Sequence, residues 1–289
     1  MSAPRALLIE MRPRQWTKNL VIFVPLLFSL NLGKPGEALD ALLAFVLFCM
    51  ISGGVYIAND LRDLHRDRLH DGRSRRPLAA GQLSPRLATG VAGALVALGL
   101  AGSMLLDPWF GLIAFSYILL QVAYTFGLKH EVVLDVMTIA AGFVLRVTAG
   151  AVAVHVAVSP WLLTCALFLA LFLGLAKRRQ ELLATPDDLD HRPVLVKYTA
   201  EFLDQAIGAI TAATIAMYSI YTFQSQAGTE RPYLMLTIPF VVYGLLRYLY
   251  LMHARHLGSS PEEVLLKDVP LIVDLALWTV VVTVVLYAT

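Results

Sequence analysis

The chain has 289 residues, 58% of them hydrophobic and 15% charged, with a net charge of +2 and a mean hydropathy of +0.68. Soluble domains are about 45–50% apolar and about 25% charged, and disorder needs low hydrophobicity with high net charge, so both classes are excluded. The apolar residues fall in long blocks between short charged loops, which marks an all-α polytopic membrane protein.

A helix needs roughly 20 apolar residues to cross a bilayer. On that scale the pattern predicts nine spans, at 19–33, 38–58, 87–106, 108–127, 132–155, 160–176, 203–223, 233–253 and 270–287. The first is short and carries Pro25. Its apolar run starts late and no small-x-small cleavage site follows, so a cleaved signal peptide is not expected. Cys49 and Cys165 lie inside apolar blocks, which leaves no disulfide framework and no Cys-based metal site to read. No repeat or low-complexity tract interrupts the pattern. The expectation is one membrane-embedded domain over 1–289, with an acidic and basic loop at 59–86.

With the N-terminus in the cytoplasm, 20 of the 23 Lys and Arg residues fall on the cytoplasmic side. Lys34 and Arg231 fall on the other side, and Arg146 lies within a span. This asymmetry predicts the orientation and puts the polar face in the cytoplasm.

The loop after the second span opens Asn59-Asp60-Leu61-Arg62-Asp63-Leu64-His65-Arg66-Asp67. If the helix continues into it, Asp60, Asp63 and Asp67 stand at i, i+3 and i+7, within about 60° of one another. Three carboxylates on one face repel unless a cation sits among them. Mg2+ fits, because it favours oxygen ligands and commonly takes one or two carboxylates while substrate phosphates complete its shell. The bland alternative is a mixed-charge solvated loop. The intervening Arg62 and Arg66 point elsewhere and suit a headgroup anchor. His65, His70 and His130 have no metal-ligand spacing.

The loop continues Arg68-Leu69-His70-Asp71-Gly72-Arg73-Ser74-Arg75-Arg76-Pro77-Leu78-Ala79-Ala80-Gly81. An NDxxDxxxD box followed by a basic stretch and RPLAAG resembles the UbiA superfamily of intramembrane prenyltransferases. The resemblance covers essentially the whole chain. It implies a nine-transmembrane-helix bundle with a cytoplasm-facing cavity in a bacterial-type inner membrane, and Mg2+ on Asp60, Asp63 and Asp67 with Asn59 orienting them.

Within that superfamily, further segments look like the branch that makes decaprenylphosphoryl-phosphoribose from decaprenyl phosphate and phosphoribosyl pyrophosphate. They are Arg12-Pro13-Arg14-Gln15-Trp16-Thr17-Lys18-Asn19, Tyr124-Thr125-Phe126-Gly127-Leu128-Lys129-His130, Arg146 with its neighbours, Lys177-Arg178-x-x-Glu181, and Pro261-Glu262-Glu263 through Lys267-Asp268. The resemblance to this branch implies that Lys129 joins the three acids in catalysis. It also implies that Lys18, Asn59, Arg73, Arg76, Tyr124, Arg146, Lys177, Arg178 and Glu181 bind substrate. The resemblance to the branch also implies homo-oligomers, trimers among them, and no nucleic-acid partner is expected. The role of 261–268 stays open, with a cytoplasmic lid one option.

One departure carries information. Ordinary members place a second Asp-rich motif in the sixth-to-seventh loop, where this chain reads Ala176-Lys177-Arg178-Arg179-Gln180-Glu181-Leu182. Three adjacent cations suit a phosphate monoester better than a metal. The plain alternative is a positive-inside helix end. Asp187, Asp188 and Asp190 follow just after Pro186 and read either as a solvated loop, the favoured reading, or as a displaced second motif.

Arg146 costs about 2.5–3.5 kcal/mol inside a span and so faces the bundle interior. Asp135 shares its face but lies roughly 16 Å along the helix, too far for a direct pair. Arg146 is therefore read as facing phosphate or supporting a residue that does, with a carboxylate on another helix as the structural alternative.

The favoured activity is Mg2+-dependent transfer of 5-phosphoribose to a polyprenyl phosphate. Two other classes remain. An ordinary prenyltransferase would move an isoprenyl group to an aromatic or lipid acceptor, and the basic sixth-to-seventh loop speaks against it. A transporter would place its charges at the midplane between internal repeats, and none is visible.

Overall fold

We describe a computed structural model covering residues 2–69, 72, 74–157, 159–183, 194–254, 264 and 267–288. Among these residues every regular element is helical. In chain order they are α1 (Ala3–Glu10), α2 (Val24–Phe28), α3 (Pro35–Arg68), α4 (Pro85–Leu106), α5 (Pro108–Phe126), α6 (Leu134–Ala153), α7 (Pro160–Leu183), α8 (Ala200–Gln224), α9 (Gln226–Glu230), α10 (Ile238–Ala254) and α11 (Val269–Tyr287). Arg73, Asp187, Asp188, Asp190 and Pro261, Glu262 and Glu263 lie outside the described residues.

Eight helical segments among the described residues are long and apolar enough to cross a membrane. They match the second to ninth expected spans. The first expected span differs: Pro13–Phe23 is a 3-10 stretch, and only Val24–Phe28 follows as α-helix. Pro25 withholds an N–H donor within the segment, so it does not build one long α-helix. α3 differs in the other direction. It runs 34 residues, to Arg68, and so carries the acidic motif on a helix rather than in a loop.

The chain forms two compact units. Unit 1 comprises Met1–Leu26, Asn31–Thr125 and Leu145–Ala157, and unit 2 comprises Leu27–Leu30, Phe126–Val144 and Val158–Thr289. In unit 1, α3 and α4 pack antiparallel over small residues: Gly54 lies against Ala92 and Val96, Gly99 against Ile51, and Gly102 against Leu47. Small residues let backbones approach where lipid offers no hydrophobic drive between helices. Beside them Phe48, Phe110 and Tyr117 form an aromatic cluster with ring centroids 5.5–5.7 Å apart, packed with Ile22, Ile51 and Ala149. Ser84 caps α4 by accepting the Leu87 N–H, with Pro85 opening the helix.

Unit 2 is centred on α7 and α8. Its core joins Phe172 and Leu175 to Leu203, Ile207, Tyr248 and Leu251, with Phe172 edge-on to Tyr248 at 5.3 Å. Asp268 caps α11 by accepting the Leu271 N–H and pairs with Arg247 at 2.8 Å, which gives that end of the 261–268 segment a structural role. Large apolar side chains such as Leu98, Leu105 and Trp109 are exposed on the outside, as a lipid-facing surface requires.

The tightest backbone approach in unit 1 is at Gly150, where a Cβ would lie 2.1 Å from the Ile22 carbonyl oxygen. Gly150→Ala is therefore expected to cost about 1–3 kcal/mol or more. Gly208 sits in α8 with nothing within 4 Å of a Cβ, so Gly208→Ala is expected to gain about 0.5–1 kcal/mol. Thermal melting in detergent compares the two, and equal shifts would contradict this packing.

Candidate active site

Because α3 stays helical past its apolar part, Asp60 and Asp67 sit two turns apart on one buried face. Their charge is answered from two other segments of unit 1. Arg76 Nη1 donates to Asp60 Oδ1 at 2.8 Å and to Asp67 Oδ2 at 2.7 Å, bridging the two carboxylates with one nitrogen. Arg12 Nη2 donates to the same Asp60 oxygen, and its guanidinium stacks over the Tyr56 ring at 5.3 Å. Asp63 is half-buried and lies outside the Arg76 bridge.

The backbone around these arginines is set with care. Arg12 adopts a left-handed conformation, φ 52° and ψ 65°, unusual for a residue with a Cβ and more so before proline. Leu78, two residues after Arg76, donates its N–H to Glu10 Oε1 at 2.7 Å. Glu10 ends α1 and is buried. Burial first, and then the adjacent Asp60 carboxylate, push its carboxyl up from the ordinary 4.5 to about 7. Asn59 Oδ1 accepts the Thr125 hydroxyl at 2.9 Å, and Arg62 donates to the Thr125 carbonyl, so Arg62 braces the end of α5 rather than a headgroup.

A second polar network lies deeper in unit 1. Arg146 Nε donates to Asn19 Oδ1 at 2.7 Å and its Nη2 to the Tyr117 hydroxyl at 2.8 Å, with the guanidinium 4.6 Å from the Tyr117 ring centroid. Asn19 in turn donates to Cys49 Sγ and Ser52 Oγ, each at 3.2 Å. An amide and a phenol thus stand among the neighbours of Arg146. Lys18 and Tyr124 are half-buried in the same unit.

Lys129, Lys177, Arg178 and Glu181 belong to unit 2. Lys129 lies in the short 3-10 turn Leu128–His130, and Lys177 is half-buried on α7. Arg178 is 2% exposed and held by two carboxylates, Asp135 through Nε and Glu181 through Nη1 at 2.6 Å. Tyr198 donates to the other Asp135 oxygen at 2.7 Å and accepts the Val133 N–H. Burial and that carboxylate raise the Tyr198 hydroxyl above the ordinary phenol range, which keeps it a donor. Arg179 pairs with Asp204, which also meets His253.

No group of three or more His, Cys, Asp or Glu side chains among the described residues is gathered tightly enough to hold a metal by itself. The Asp60–Asp67 pair nonetheless fits a divalent ion that brings phosphate oxygens with it. One cationic nitrogen already occupies the position between them, and the buried Asp60 Oδ2 has no hydrogen-bond partner. The sequence reading missed Arg12 and Glu10 as site residues. Arg12 stood in the quoted RPRQWTKN stretch, whereas Glu10 had no signal beyond an acid at the end of a short amphipathic segment.

The UbiA prenyltransferase family's sequence pattern matches residues 20–265. The chain belongs to that family. It is 33% identical over 276 residues to the decaprenyl-phosphate phosphoribosyltransferase of Mycolicibacterium smegmatis, spanning 91% of this chain and 86% of that one. It is 34% identical over 285 residues to the enzyme of the same name from Corynebacterium glutamicum, spanning 96% and 85%. Among solved structures, a UbiA homolog from Archaeoglobus fulgidus bound to GPP and Mg2+ superposes with a TM-score of 0.74 at 22% identity, covering 98% of this chain and all of that one. This UbiA family member is an integral membrane protein, with family and eight apolar spans in agreement.

Two outcomes follow from the geometry. Arg178→Ala strands the buried Asp135, and breaking a buried pair from one side costs about 3–5 kcal/mol, so yield and melting temperature are expected to fall sharply, with Arg178→Lys milder. Glu10 binds its proton more tightly folded than unfolded, so stability is present below about pH 4.5 and is lost as pH rises through about 7. Melting curves across that window should fall for the wild type and flatten for Glu10→Gln, and parallel curves would contradict the burial of an ionisable Glu10.

Proposed function

We propose that the chain transfers 5-phosphoribose from phosphoribosyl pyrophosphate to a polyprenyl phosphate of the decaprenyl type, releasing pyrophosphate with Mg2+. The observation that carries the reading is the cluster in unit 1 of two buried carboxylates and two half-buried guanidiniums. Carboxylates suit the metal, and guanidiniums suit the oxygens of a diphosphate. The choice of donor and acceptor is supported by end-to-end similarity to two decaprenyl-phosphate phosphoribosyltransferases.

In this reading Asp60, Asp63 and Asp67 hold the ion, with Asn59 fixing their helix. Mg2+, when bound, supplies positive charge against the departing pyrophosphate. Arg12 and Arg76 add fixed charge where pyrophosphate develops, and the resemblance implies the same role for Lys129. Lys177 and Arg178 orient the lipid phosphate, with Glu181 steadying Arg178. Lys18, Arg73, Tyr124 and Arg146 complete the substrate contacts implied by the resemblance. No general base is needed, because a phosphate monoester has a second pKa near 6 and is a nucleophile at neutral pH. Transfer passes through an oxocarbenium-like state by analogy with glycosidases, and the expected result is inversion at the anomeric carbon. The polyprenyl tail stays in lipid, each buried CH2 contributing about 0.8 kcal/mol. The distribution of Lys and Arg supports a cytoplasmic N-terminus and active site in a bacterial-type inner membrane.

The test uses purified protein in detergent with polyprenyl phosphate and radiolabelled phosphoribosyl pyrophosphate. Label is expected in the organic phase with Mg2+ and not with EDTA. Asp60→Ala and Asp67→Ala should each cut transfer at least about a hundredfold in protein that still folds, and Lys177→Ala should raise KM for the lipid phosphate. No transfer, alongside activity with a prenyl diphosphate and an aromatic acceptor, would overturn the reading.

A further inference from the structure

We propose that Arg76 is an exchangeable counter-ion that makes metal binding and diphosphate binding depend on each other. The inference rests on the reading of Asp60 and Asp67 given above and adds what the arginine between them does.

A single Arg76 nitrogen lies 2.8 Å from Asp60 Oδ1 and 2.7 Å from Asp67 Oδ2. It stands between Asp60 Oδ1 and Asp67 Oδ2, so Arg76 must vacate that position before a divalent ion can take these two oxygens together. The carboxylates are 4% and 2% exposed, and buried like charges cannot be left without a cation. The cluster therefore holds Arg76 or a metal at that position, not both.

What becomes of the displaced guanidinium decides the energetics. If metal arrives alone, Arg76 loses two charge-assisted hydrogen bonds and gains only water. If a diphosphate arrives as well, its oxygens offer the guanidinium a planar, bidentate partner. Diphosphate thus raises metal affinity, and by linkage metal raises diphosphate affinity by the same factor. Arg12 contacts Asp60, whereas the nitrogen that joins Asp60 to Asp67 belongs to Arg76.

The local backbone fits a side chain that swings while its main chain stays. The Arg76 carbonyl accepts the Ala80 N–H at 2.8 Å and the Pro77 carbonyl accepts that of Gln82 at 2.8 Å. Leu78 is 1% exposed and tied to Glu10. The side chain of Arg76 itself is 31% exposed, which leaves it room to turn.

The experiment is equilibrium dialysis of the full-length protein in detergent at fixed free Mn2+, with and without inorganic pyrophosphate. Wild type is expected to retain Mn2+ about tenfold or more tightly when pyrophosphate is present. Arg76→Gln is expected to bind Mn2+ alone more tightly than wild type and to lose most of the pyrophosphate gain, with Arg76→Lys between. An unchanged gain in Arg76→Gln overturns the proposal. So does the absence of any gain in wild type, a result that needs no variant. The label-transfer assay separates the two readings. Normal phosphoribosyl transfer by the wild type, with an unaltered gain in Arg76→Gln, refutes the counter-ion role alone, whereas prenyl transfer by the wild type in place of phosphoribosyl transfer refutes the substrate reading and leaves the Mn2+ result standing.

Discussion

A carboxylate buried in an apolar helix needs a cation, and α3 carries two such carboxylates on one face. That requirement organises most of unit 1. It draws Arg12 in from the segment ahead of the first span and Arg76 back from the turn after α3, from 48 and 16 residues away along the chain. It also explains why α3 can stay helical past its apolar part. With Asp67 answered by Arg76, the last two turns carry their charge without fraying, and the basic residues of the final turn, His65, Arg66 and Arg68, suit the negative end of the helix dipole.

The same constraint shapes Glu10. A third acid beside Asp60 adds to a charge that two guanidiniums already balance, and the chain answers by burying it and giving one of its oxygens a backbone N–H. Glu10 thereby links α1 to the segment that carries Arg76. A short amphipathic helix with exposed Leu8 and Ile9 becomes a brace for the acidic cluster. Local sequence explains the helix and tertiary electrostatics explains its last residue.

Hydropathy made the spans legible, because eight blocks of roughly bilayer length must satisfy their backbone internally as helices. The i, i+3, i+7 spacing made the shared face of Asp60 and Asp67 legible for the same local reason. The first expected span, 19–33, takes 3-10 and short α-helical geometry around Pro25 instead of one long α-helix. The partners of buried ions were illegible. Arg146 meets Asn19 across 127 residues, and Arg178 meets Asp135 across 43. No spacing rule reaches that far, and the sequence reading could only say that Arg146 and Asp135 were too distant for each other. The left-handed Arg12 was hidden too, since the sequence marks a proline after it but not the turn it takes.

Those long-range pairs change how the segment at 177–181 is understood. Read as a string, it is three adjacent cations where the superfamily resemblance leads one to expect acids. In the fold Arg178 and Arg179 answer three carboxylates, Asp135, Glu181 and Asp204, so together these five groups are not a positive patch. A phosphate approaching Arg178 has to compete with Asp135, which is fully buried and also held by Tyr198. Asp135 cannot recover its solvation, so it will not release the guanidinium entirely. Any role of Arg178 toward phosphate is therefore through N–H groups outside that pair. Lys177, half-buried and with three rotatable donors, is the better-suited point charge. On the proposed reading, Asp60 and Asp67, with Arg76 between them, are therefore the place where a divalent ion and a diphosphate meet.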